Sequence, residues 1–202
     1  TLVSVADYVL SRAKADGVKN LVTVSNLSSS RALRDVTESY GGTYFASAVG
    51  EVNATTLMHE KGAIIGGEGN GGVIYPAIHS GRDAMVGVAL FLSNLAHKKM
   101  TVSELKKTYP EYHIAKNKIE LSDKGLIDKI LSELKVIYAH ENVNDIDGVK
   151  ISFEDKREWV HLRKSNTEPI IRIYSEAPTE EEAVKLGEKV IAVAEKIISS
   201  AK

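Results

Sequence analysis

RKSNTEPIIR, residues 163–172, sets a polar turn and a proline between two strand-like segments, and its reading decides the second half of the chain. EWVHLRK (158–164) before it and IIRIYSE (170–176) after it are rich in β-branched and aromatic residues, the composition of half-buried strands. Alternation places Val160 and Leu162 on one face and Trp159, His161 and Arg163 on the other. Ile171 and Ile173 share a face while Arg172 points the opposite way. Two strands therefore carry Arg163 and Arg172 on their non-core sides, with Lys164-Ser165-Asn166-Thr167 looping between them. VKISFED (149–155) is a further strand. SDKGLIDKILSELK (122–135), with Ser122 as a cap, and TEEEAVKLGEKVIAVAEKII (179–198) are helices. Thr179 and Glu182 fit a capping box, and Glu180-Glu181-Glu182 is a helix start favoured by the dipole. This half is α+β, an antiparallel sheet backed by helices.

The half before it alternates differently. VSVADYVLSRAKADG (3–17) has apolar residues at helical spacing, and NLVTVSN (20–26) reads as a short β-branched strand. Ser28-Ser29-Ser30 open a helix that stops at Gly41-Gly42; then come a strand (TYFASAVG), a helix (EVNATTLMHEKG) and a buried strand (AIIGG). GRDAMVGVALFLSNLAHKK (81–99) is a long, largely apolar helix. Helices alternating with short apolar strands indicate a layered α/β domain. The chain turns polar around MTVSELKKTYPEYHIAKNK (100–118), so the expected division is 1–99 and 100–202.

With 202 residues, 43% hydrophobic and 26% charged, the chain has the composition of a globular protein with an ample core. A net charge of −1 gives no bulk attraction to nucleic acid or to an anionic membrane, so any anion site must be local. The absence of cysteine excludes disulfides, thiolate metal sites and thiol nucleophiles, and favours a cytoplasmic setting. No apolar run approaches the length of a membrane span. A start at Thr1 with a helical pattern almost at once is expected of a piece of a longer protein.

Two loops carry chemistry. Around 163–172, the hydroxyls of Ser165 and Thr167, the Asn166 amide and the backbone N–H groups are donors, and Arg163 and Arg172 offer guanidinium forks suited to phosphate. Loop chemistry alone fits a phosphate site and a polar hairpin with solvated arginines equally well. The other loop, GGEGNGG (66–72), contains G-x-G-x-x-G at Gly67, Gly69 and Gly72, yet Val73-Ile74-Tyr75-Pro76 follows in place of a helix, and Glu68 would repel a pyrophosphate. A carboxylate in a glycine-lined loop suits sugar hydroxyls instead, and Asn70 adds a donor and an acceptor. A glycine-rich turn with an exposed glutamate is the plain alternative. Together the loops suggest one grip on sugar hydroxyls and one on a phosphate.

The SNTEP loop, the upstream DGVK (147–150) and GEGNGG resemble the α-D-phosphohexomutases, the phosphoglucosamine mutases, phosphomannomutases and phosphoglucomutases. The resemblance covers essentially the whole chain and corresponds to the third and fourth of that family's four domains. It implies a chain that helps interconvert hexose 1-phosphates and 6-phosphates, of the phosphoglucosamine or phosphomannose type. Arg163, Ser165, Asn166 and Thr167 would hold the non-reacting phosphate, with Arg172 in support; Glu68 and Asn70 would meet sugar hydroxyls. It also implies a phosphoserine and a Mg2+ site in the N-terminal catalytic domains of the same protein. Neither a T-x-S-H-N serine loop nor a D-G-D-x-D-R metal loop occurs here, and Asp145 and Asp147 lack the spacing of a magnesium site, so the chain alone is expected to be inactive. A stand-alone, non-catalytic phosphosugar-binding module is the alternative.

Two departures from the family pattern stand out. Many members end the sugar loop with histidine, where this chain has Gly72, and many carry a lysine or arginine at the position of Val52. His79 and Arg82, just downstream, are candidates to supply the missing cation. The remaining histidines, His59, His97, His113, His140 and His161, are read as surface or packing residues.

Overall fold

A computed structural model describes residues 1–121, 125–165 and 168–200. The chain forms two compact units, Thr1–Glu111 and Tyr112–Lys202.

The first unit is a layered α/β domain. Its elements are α1 (Leu2–Ala15), β1 (Val22–Asn26), α2 (Ala32–Ser39), β2 (Thr43–Ser47), α3 (Glu51–Lys61), β3 (Ile65–Gly67), β4 (Val73–Tyr75), β5 (His79–Arg82), α4 (Ala84–Lys98) and α5 (Val102–Lys107). The sheet runs β2-β1-β3-β4-β5, with β1 parallel to both β2 and β3 and an antiparallel β3–β4–β5 meander at one side. Strand alternation divides the core. Val22, Val24 and Ile74 pack with Ala54 and Met58 of α3, whereas Ile65 and Val73 pack with Leu2, Val5, Val9, Leu33 and Val36 of α1 and α2 and with Leu90 and Phe91 of α4. Thr23, on the α2 side of β1, meets Thr37 through paired hydroxyls at 2.7 Å.

Helix ends follow their side chains. Asp83 Oδ1 accepts from Val86 N–H at 3.0 Å, so α4 starts at Ala84, and residues 79–82, partly read as helix from the sequence, form β5. The serines before α2 lie outside the helix, with Ser30 Oγ accepting from Ala32 N–H at 3.2 Å. Thr101 and Glu104 close a capping box on α5. The division at 111/112 lies beyond the residue-100 boundary read from the sequence; Tyr109, after α5, donates to Asp7 of α1 at 2.7 Å.

The second unit is the antiparallel sheet with helices. Here β6 (His113–Glu120), β7 (Asn142–Asn144), β8 (Val149–Phe153), β9 (Glu158–Lys164) and β10 (Ile170–Ala177) form a sheet in the order β6-β10-β9-β8-β7, with α6 (Gly125–Ile137) and α7 (Glu180–Ser200). The inward set is the one alternation names: Val160, Leu162, Ile171 and Ile173 pack with Ile127, Ile130 and Leu134 of α6 and with Leu186, Val190 and Ala194 of α7. Thr179 Oγ1 accepts from Glu182 N–H at 3.2 Å, as the capping box requires. Ser122, expected to cap α6, lies outside the described residues. The polar stretch 100–118 runs into β6, an edge strand with Lys116, Lys118 and Glu120 exposed. Lysine on an edge strand guards against pairing with other chains and hides the strand's alternation from a composition reading.

Candidate functional site

The glycine loop lies at the carboxyl ends of β1 and β3, where open α/β sheets bind ligands. Its turn is tight: Glu68 N–H donates to the Gly72 carbonyl at 2.9 Å, Gly71 N–H to the Glu68 carbonyl at 3.0 Å, and Gly72 N–H to Asn70 Oδ1 at 3.1 Å. Asn70 is exposed. Glu68 is only 5% exposed, unlike the exposed glutamate of the plain-turn alternative. Its Oε1 accepts from Asn26 Nδ2 at 3.1 Å, and its Oε2 stands 3.3 Å from Arg82 Nη1.

Arg82 links this loop to α3. Its backbone N–H donates to Glu51 Oε1 at 2.8 Å and its Nε to Glu51 Oε2 at 2.7 Å, and these bonds hold the Glu51 carboxyl below its usual range. A Cβ at Gly72 would lie 2.5 Å from Arg82 Cδ. The arginine thus occupies the space that a side chain at position 72 would claim. His79 stays within its own turn, its Nδ1 accepting from Gly81 N–H at 3.1 Å. Of the two candidate cations, Arg82 is the one that reaches Glu68. Asn26 and Glu51 escape sequence reading because their roles arise only from contacts distant in sequence; the one local signal is an asparagine ending an apolar strand.

In the second unit the register sets Arg163 of β9 directly opposite Arg172 of β10, and Arg172 opposite Lys118 of β6. Three cations cross adjacent strands on one row. Arg172 Nη2 is 3.7 Å from Glu168 Oε2, and Lys118 Nζ is 2.7 Å from Glu120 Oε1. Ser165 is 6% exposed, and its N–H donates to the Ile170 carbonyl at 3.0 Å, closing the base of the loop. Asn166 and Thr167 lie outside the described residues. Arg163 Nε is buried and meets no hydrogen-bond acceptor among the described residues.

The face of this sheet opposite the helices, expected to be merely non-core, contains buried polar groups. Trp159 Nε1 donates to Glu176 Oε1 at 2.6 Å, Lys150 Nζ stands 4.0 Å above the Trp159 ring, and His161 is 1% exposed. Trp159 and Glu176 face each other in the register, whereas Lys150, which faces His161, reaches the Trp159 ring diagonally. Among the described residues, no group of three or more His, Asp or Glu is placed to hold a metal ion.

The chain thus joins an α/β unit whose sheet end carries a buried carboxylate loop to an antiparallel-sheet unit whose β9 and β10 carry facing arginines. The chain belongs to the phosphoglucomutase/phosphomannomutase family: the model described as "alpha/beta/alpha domain III" matches residues 1–112, and that of the C-terminal domain matches residues 117–193. It is 35% identical over 196 residues to a phosphoglucomutase/phosphomannomutase of Thermococcus kodakarensis, covering 95% of this chain and 41% of the relative. It is 33% identical to a phosphoglucosamine/phosphogalactosamine mutase of Sulfurisphaera tokodaii, covering 89% and 39%. The chain therefore spans about two fifths of the length of these relatives. Among solved structures, a phosphoglucomutase/phosphomannomutase family protein of Burkholderia thailandensis superposes with a TM-score of 0.72 at 19% identity, covering 94% of this chain and 42% of that one. N-acetylphosphoglucosamine mutase of Aspergillus fumigatus, solved with GlcNAc-6P and magnesium, gives 0.72 at 15% identity, covering 97% and 43%. At such identities the likeness concerns the fold.

Proposed function

We propose that this chain is the substrate-binding C-terminal part of a phosphohexomutase that interconverts hexose 1-phosphate and hexose 6-phosphate, of the phosphoglucosamine or phosphomannose type. The observation that carries the reading is the cross-strand pair Arg163 and Arg172 at the mouth of the SNTEP loop. Two guanidinium groups on facing strands suit the oxygens of one phosphate. Ser165, Asn166 and Thr167 belong to the same loop and would add donors. Glu68 and Asn70 would meet sugar hydroxyls; Glu68 would do so through lone pairs left over after Asn26 and Arg82 have been served. Gripping the distant phosphate orients the sugar, so binding energy serves positioning of the reacting end.

Phosphoryl transfer would come from N-terminal domains of the same protein, with Mg2+ held there. Among the described residues of this chain, no three His, Asp or Glu gather to hold a metal ion. The chain alone is then inactive as a mutase, and turnover appears only when it is joined to the catalytic half. A cysteine-free sequence, with no described helix long and apolar enough to cross a membrane, supports a cytoplasmic enzyme.

Replacing Arg163 by alanine tests the loop. Calorimetry with a hexose 6-phosphate is expected to show a loss of about 2 kcal/mol, roughly thirtyfold in Kd, the worth of a charge-assisted contact. Equal affinities for the two proteins would remove the phosphate assignment. Turnover by the unaltered chain alone would instead show that catalysis needs no second half.

A further inference from the structure

The turn before β8 and the buried histidine of β9 have no part in the function proposed above, yet they meet beneath Arg163. Gly148 has φ +74°, and a Cβ there would lie 2.2 Å from the Leu162 carbonyl oxygen and 2.8 Å from Arg163 Cα. Only glycine lets this turn lie directly on the backbone that enters the phosphate loop. Beside it, His161 Nε2 stands 2.6 Å from the Asp147 carbonyl oxygen. A carbonyl oxygen only accepts, so Nε2 carries the hydrogen and donates. Burial lowers the imidazole pKa to about 4 against the pull of that carbonyl, and Lys150 and Arg163 push the same way as burial. The ring is neutral near pH 7. It lies two residues before Arg163 on the same face of β9, between Lys150 and Tyr174 of the flanking strands.

We propose that His161 is a positioning residue for Arg163: its Nε2–H ties the Asp147–Gly148 turn onto β9, and that turn is the floor on which the Arg163 backbone rests. Because Arg163 Nε meets no hydrogen-bond acceptor among the described residues, the backbone beneath it bears more of the task of aiming the guanidinium. The consequence for ligand binding rests on Arg163 being a phosphate contact; the latch itself does not.

His161→Leu removes the donor at similar volume, and His161→Gln returns an amide N–H near the place of Nε2. In the 202-residue chain, the Arg163 Nε–H resonance is followed by NMR, assigned by its loss in Arg163→Lys, and glucose 6-phosphate is titrated in parallel. His161→Leu is expected to shift the resonance and weaken glucose 6-phosphate about tenfold, and His161→Gln to restore both. An unmoved resonance in His161→Leu, or a glutamine variant that restores nothing, overturns the latch. If the unaltered chain does not bind glucose 6-phosphate, the phosphate reading of Arg163 fails and the resonance alone decides the latch. Should His161→Leu not fold, His161→Asn takes its place, since its shorter amide falls short of the Asp147 carbonyl.

Discussion

An Asp7→Ala chain is expected to lose about 3 kcal/mol of stability in urea unfolding, because removing the acceptor strips several buried donors at once. Asp7 lies in α1 and is 4% exposed. Its carboxylate accepts from Tyr40 at 2.6 Å, Tyr109 at 2.7 Å and Lys98 at 2.5 Å. Asn94 of α4 stands 3.4 Å away. One side chain thus joins α1 to the end of α2, to α4 and to the segment after α5. Burial alone would raise the Asp7 carboxyl, but hydrogen bonds from Lys98, Tyr40 and Tyr109 outweigh it and leave it below its ordinary value. Tyr40 and Tyr109 are pushed well above the usual phenol range, by burial first and then by Asp7. With a depressed folded-state pKa, the contribution of Asp7 is fully present above the unfolded carboxyl value of about 4 and is lost as pH falls below it. Asp7→Asn should therefore flatten the acid side of the stability curve. An unchanged acid limb in that variant would assign acid sensitivity to other carboxylates.

Gly67→Ala is the second large effect, expected at about 3 kcal/mol from a close contact combined with an unfavourable backbone region. Gly67 has φ +153°, and a Cβ there would lie 1.9 Å from the Gly72 carbonyl oxygen. That oxygen accepts the Glu68 N–H, so the clash falls on the bond that closes the glycine loop. Gly71 supplies the control: its φ is +97°, but nothing lies within 4 Å of a Cβ built there. Gly71→Ala should cost about 1 kcal/mol, the backbone contribution alone. Equal losses in the two variants, measured by urea unfolding, would show that backbone conformation rather than the Gly72 carbonyl governs the loop.

The two loops were legible in the sequence to different depths. Around Arg163 and Arg172, period-2 alternation named the helix-facing set correctly, because a strand with one helix-covered face must alternate, but it did not show that Trp159 and His161 on the other face are buried too. Their direct opposition required the pairing register, which the sequence does not state. The glycine loop was visible through its glycines, but the depth of Glu68 was not, since Asn26 and Arg82 reach it from 42 residues before and 14 after. The strand HSGR was missed and its second half, Gly81 and Arg82, was read into the following helix, the strand being four residues long with little apolar content. Its end is marked only by Asp83, a residue equally at home in a helix and at its cap. The depth of His161 was also out of reach, because the turn that covers it arrives from another strand.

Arg163, Arg172 and Lys118 stand side by side across three strands, and like charges in facing positions work against the sheet that carries them. Glu168 and Glu120 answer two of these charges from the loop end and the sheet edge. The row concentrates positive charge on one face of the sheet before any ligand arrives. An anion seated among the three would offset that charge, so part of its affinity would come from eased repulsion and only the remainder from the bonds the anion itself makes.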